Sequence, residues 1–96
     1  MRAIAVRWVA DEPFPGVVEV QLTDADGRPW SFVDKAPIFD GHDVLNASAK
    51  YPIDLEIACT VLDRLADRVV VTTAKPWGIE TVDRQSRFVV RLDQLG

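Results

Sequence analysis

The chain has 96 residues, 48% of them hydrophobic, and carries 15 acidic against 11 basic residues for a net charge of −4. That length suits one domain, residues 1–96, with enough apolar material for a core that needs neither metal nor disulfide. The acidic balance repels a phosphate backbone, which disfavours nucleic acid as a partner, and the single cysteine, Cys59, has nothing to bridge to within the chain.

Residues 2–9 alternate, with Ile4, Val6 and Trp8 on one side and Ala3, Ala5, Arg7 and Val9 on the other. This predicts a first strand with Trp8 in the core. Arg7 interrupts the apolar run too early for a secretion signal, and no stretch is long enough to span a bilayer, so a cytoplasmic protein without membrane contact is expected. Pro13, Phe14, Pro15 and Gly16 then break regular structure, because proline removes amide donors and glycine permits positive φ. Residues 17–23 alternate strictly, Val18, Val20 and Leu22 against Glu19, Gln21 and Thr23, and form the second strand. Asp24, Ala25, Asp26 and Gly27 make a hairpin turn, with too few carboxylates for a calcium loop. The third strand covers 29–34, with Trp30 and Phe32 sharing a face opposite Ser31, Val33 and Lys35.

Residues 36–52 lack strand periodicity and exceed an ordinary connection in length. Here Asp43 is expected to cap one helical turn at 44–48, and Ile38, Phe39, Val44, Leu45 and Tyr51 to plug an open end of the sheet. The stretch 53–62 fits two templates. As a strand it places Ile53, Leu55, Ile57, Cys59 and Val61 on one face; as a helix starting at Pro52 it lines up Leu55, Ala58, Cys59, Leu62, Leu65, Ala66 and Val69. The β-branched Ile53, Ile57, Thr60 and Val61 favour the strand, with Cys59 as a small core residue. A turn at 63–67 then leads to a strand at 68–74, whose Val69–Val71 run suits a sheet centre. Lys75, Pro76, Trp77 and Gly78 form a second proline-flanked turn, which sets Trp77 either over the end of the core or on a contact surface. A short strand at 79–82, a turn at 83–86, and a last strand at 87–92 with Phe88, Val90 and Leu92 inward complete the pattern, and 93–96 is expected to fray.

The fold expected is all-β: a small single-domain β-barrel or half-open sandwich of six to seven mostly antiparallel strands, with the long insert at 36–52 between strands three and four. The alternative is α+β with a helix at 52–67. The turn spacing is compatible with OB-like barrels among other small β architectures, which carries no function by itself.

Chemical motifs are sparse. The five glycines stand singly, which excludes phosphate-cradling loops, and the serines lack a nucleophile-elbow context. No cofactor and no metal site is expected, since the lone His42 has no second histidine or thiolate near it. Three readings follow. In the first, the domain is a protein-binding or regulatory module whose contact residues are Phe14, Pro76, Trp77, Phe39 and Tyr51, with an unidentified protein or a second copy of the chain as partner. In the second it is an enzyme using His42 with Asp40 or Asp43 near Lys35 and Tyr51. The third is a single-strand nucleic-acid face built from Trp8, Trp30, Arg7 and Lys35.

Overall fold

A computed structural model of the chain describes residues 1–39 and 44–95. Among these residues the strands are β1 (Arg2–Ala10), β2 (Val17–Thr23), β3 (Pro29–Lys35), β4 (Ile53–Glu56), β5 (Thr60–Leu65), β6 (Arg68–Thr72) and β7 (Arg87–Arg91). One helical turn, α1 (Ala36–Phe39), follows β3, and a 3-10 turn closes the chain at Leu92–Leu95. The strands make two antiparallel sheets, β3-β2-β1-β4 and β5-β6-β7, arranged as a half-open sandwich and not as a closed barrel. The helix over 52–67 does not form.

The strict alternation of β2 is realised in full, with Val18, Val20 and Leu22 completely buried. Across the core, β6 supplies Val69 and Val71 and β7 supplies Phe88 and Val90. Phe88 joins the two sheets: its ring meets Phe32 edge-on at 5.8 Å and Trp30 at 5.5 Å. In β1 the inward residues are Ala3 and Ala5, while Ile4 faces outward, the reverse of the expected face. The reason is a register shift: Ala5 sits opposite Val20 and Arg7 opposite Glu19, so Val6 is an extra residue in the ladder. Parity changes across a bulge, and Trp8 therefore returns to the face of Ala3 and Ala5, opposite the buried Val18.

The stretch 53–62 is extended but divides between two strands. β4 pairs with β1, the chain turns over at 57–59, and β5 begins the other sheet. Ile57 lies at this crossing, 2% exposed, with its amide donating to the Met1 carbonyl at 2.8 Å and its carbonyl accepting from the Met1 amino group at 3.0 Å. Cys59 is half-buried against the core.

Several local expectations are corrected. Asp63 and Leu65 belong to β5, and the turn that follows shrinks to Ala66 and Asp67 because Ala66 takes φ 58°. Residues 44–48 do not make a helical turn; the one helical turn of the insert is α1, and 40–43 lie outside the described residues. Phe39 and Leu45 are buried as a plug should be, whereas Val44 is exposed. Residues 79–82 form no strand, since their backbone bonds diverge: the Ile79 amide donates to Thr73 and the Val82 amide to Ser31 of β3. Leu92 is exposed, and the tail is pinned by Gln94, whose Oε1 accepts from the Arg91 amide at 2.9 Å and whose Nε2 donates to the Thr23 carbonyl at 2.8 Å. Replacing Ile57 with Ala is expected to cost about 2–5 kcal/mol in urea unfolding, the usual penalty for emptying a packed site. A loss within about half a kcal/mol, the range of surface substitutions, would place the crossing outside the core.

Candidate functional site

Two turns present large aromatic side chains to solvent. In the first, between β1 and β2, the Gly16 amide donates to the Pro13 carbonyl at 2.9 Å and the Gly16 carbonyl accepts from the Ala36 amide at 3.1 Å. The Trp8 indole lies directly on Gly16: a Cβ there would stand 2.0 Å from Trp8 Cζ2, and the residue holds φ +124°. Trp8 Nε1, on the same edge of the indole, donates to Asp11 Oδ1 at 2.8 Å and fixes the ring in place. With both feet of the turn tied down, Phe14 at its tip is 84% exposed between Pro13 and Pro15.

The second turn, 75–78, is held in the same manner. The Gly78 amide donates to the Ala74 carbonyl at 2.9 Å, with Gly78 at φ 67°, and the buried Thr73 hydroxyl donates to the Ile79 carbonyl at 2.6 Å. Ile79 is buried and anchors the exit, leaving Trp77 65% exposed beside Pro76. The Thr60 hydroxyl donates to the Lys75 carbonyl at 3.2 Å, so this turn abuts the start of β5. Along β5 itself Val61, Leu62 and Leu65 are 50%, 45% and 51% exposed. Trp77 thus stands at the head of an apolar strand edge.

The other expected contact residues lie elsewhere. Phe39 is buried, edge-on to Phe32 at 6.4 Å. Tyr51 packs against the core and donates from its hydroxyl to the Asn46 carbonyl at 2.9 Å; burial pushes its phenol above the ordinary value. His42, Asp40 and Asp43 lie outside the described residues. Among the described residues no three His, Cys, Asp or Glu side chains gather as a metal site would require.

Trp8, Trp30, Arg7 and Lys35 do not form an open stacking platform. The Arg28 guanidinium covers the Trp30 ring at 3.9 Å, Trp30 Nε1 donates to Asp24 Oδ2 at 3.0 Å, and Arg7 pairs with Glu19 at 2.6 Å. Glu19 also accepts from the Ser31 hydroxyl, and that bond, ahead of the Arg7 charge, holds its carboxyl below the ordinary range in spite of burial. For Asp24, burial pushes the carboxyl up, but the bonds from Trp30 and from the Arg28 and Asp26 amides outweigh it and the net shift is downward.

A groove of about 560 Å³ runs beside β1, β2, β4 and the closing 3-10 turn, with Arg2, Gln21, Asp54, Glu56 and Arg91 on its walls. Its charges are of both signs, and its buried Gln94 amide is already satisfied at both ends. Among the described residues no buried side-chain polar atom lacks a partner. Against known proteins, the chain matches no family model, no curated sequence and no solved structure.

The exposed apolar positions of β5 escape the strand reading of 53–62, which turns Val61 inward. A signal was present: Asp63 and Arg64 are adjacent, so they fall on opposite faces and leave neither face of this segment wholly apolar.

Gly16→Ala is expected to cost about 2–4 kcal/mol, from the collision with Trp8 together with the left-handed backbone. Urea unfolding that moves by less than about half a kcal/mol, as for an inert surface change, would show that the indole yields freely. Asp24→Ala should cost about 1–3 kcal/mol at neutral pH through its lost hydrogen bonds. Because the folded carboxyl titrates below 3.8, its stabilisation is complete above that value and is lost as pH falls through the lower folded value. The gap between wild type and variant should narrow in acid, and a gap that widens there would reverse this sign.

Proposed function

We propose that the domain is a protein-binding module that uses the Trp77 turn as its principal anchor, with Phe14 at the tip of a second rigid turn. The observation that carries this reading is the exposure of Trp77 on a turn whose backbone is bonded at both feet. A large ring held rigidly in water carries a desolvation penalty that folding leaves in place, and a partner surface relieves it. Rigid aromatic anchors also lose little conformational entropy on association. The net charge of −4 and the covered face of Trp30 support protein over nucleic acid as the partner.

Selection of random displayed peptides against the wild-type domain, followed by affinity measurement on Trp77→Ala, tests the reading. Selected sequences should lose at least about tenfold in affinity for the variant, the loss of a contact worth about 1.4 kcal/mol. The variant should unfold in urea within about 1 kcal/mol of wild type, as an exposed residue does. Equal binding to both proteins, or a stability loss of about 3–5 kcal/mol as for a packed aromatic, would remove Trp77 from the proposed surface.

A further inference from the structure

The sandwich treats its sheet edges unequally. The outer edge of β3 is met by the Val82 amide, which donates to the Ser31 carbonyl at 3.0 Å, and β7 receives the Ala25 amide on the Val89 carbonyl at 2.9 Å. β4 is four residues long and shows Asp54 and Glu56 to solvent. Among the described residues β5 pairs with β6 alone, and no other backbone segment bonds to it. It is also the edge that carries the exposed Val61, Leu62 and Leu65. One amide of this edge is met from within, that of Arg64, which donates to Asp63 Oδ1 at 2.8 Å; for the outward N–H and C=O groups beside it, the complementary ligand is an extended backbone.

The geometry points to β5 as the acceptor of an added antiparallel strand from another protein, one that reads apolar, acidic, basic from its N-terminus opposite Leu65, Arg64 and Asp63. This rests on the protein-binding reading and specifies its partner. The charge pattern follows from the register: Arg64 lies across from the buried Val69, on the core side of the sheet, while Asp63 lies across from Val70 on the other side. Residues directly opposite one another share a face, so an incoming acid neutralises Arg64 on one face as an incoming base neutralises Asp63 on the other.

A second copy of the chain fits poorly. Two β5 strands related by a two-fold axis set one residue against itself. Centred on Asp63 or on Arg64, the pairing opposes like charges. Centred on Leu65, it opposes Asp63 to Asp67; centred on Leu62, it sets Val61 against Asp63 and Thr60 against Arg64; centred on Val61, it leaves only Thr60–Leu62 of each strand paired. The irregularity between Val61 and Asp63 further bends the edge away from self-pairing. The charges penalise indiscriminate pairing, and a strand of matched charge evades that penalty.

The test is an amide chemical-shift titration of the full chain with the capped hexapeptide Val-Glu-Lys-Thr-Val-Thr. Shifts and slowed hydrogen exchange are expected at Thr60–Leu65. The charge-swapped peptide Val-Lys-Glu-Thr-Val-Thr should bind about fivefold more weakly, the scale of one to two cross-strand charge pairs. The double variant Asp63→Lys, Arg64→Glu should invert that preference, which a merely sticky edge would not do. Equal binding of both peptides, or no shifts at β5, overturns the inference. Shifts confined to the Trp77 and Phe14 turns also overturn it while leaving those turns as a binding surface. Concentration-dependent dimerisation that protects the β5 amides without peptide overturns the assignment to a different protein.

Discussion

The edge-to-face packing of Phe88 on Phe32 and Trp30 makes the two sheets a single core. Phe88 belongs to β7, an edge of one sheet, while Phe32 and Trp30 belong to β3, an edge of the other. Aromatic pairs in this geometry contribute about 0.5–1.5 kcal/mol each beyond the area they bury. The same side is stitched by the backbone bonds from Ala25 to Val89 and from Val82 to Ser31. On the opposite side the chain crosses between the sheets at 57–59, where Ile57 bonds twice to Met1, and among the described residues no backbone bond joins β4 to β5, so the sandwich is closed along β3 and β7 and open along β4 and β5. The asymmetry of the aromatic contacts thereby decides which backbone edge is left in water.

The surface features depend on what lies beneath them. Phe14 is displayed because Trp8 clamps Gly16, and Trp8 reaches Gly16 because the extra residue at Val6 turns the second half of β1 over. Trp77 is displayed because Ile79 and Thr73 hold the base of its turn inside. In both cases buried groups supply the rigidity and an exposed ring carries the contact, a division that loop-borne recognition on a β scaffold generally uses.

Much of the fold was legible in the residues. The seven-residue alternation of β2, the Val69–Val71 run of the central β6 and the Asp24–Gly27 turn are local signals, and each appears where expected. The failures are of one physical kind: they occur where a long-range contact overrides a local pattern. Val6 gives no sign of being a bulge, because the register shift is defined only against β2. Ile57 looks like the middle of a strand, yet the chain changes sheets beside it. Gln94 looks like tail and acts as an anchor, because the Thr23 carbonyl it bonds is 71 positions away. As for the site, prolines and glycines around Phe14 and Trp77 announced exposed turns, whereas the edge character of β5 arises only from how the sheets are assembled.

The three indoles occupy three distinct environments, one clamped on a glycine, one held under a guanidinium within the core and one standing in water. The protein therefore carries its own set of optical reporters. Emission from Trp77 is open to collisional quenching by small solutes, that from Trp30 is shielded, and that from Trp8 tracks the closure of a turn at the opposite sheet. Variants that retain one indole at a time would separate loop opening from core melting in a single chain without any attached dye.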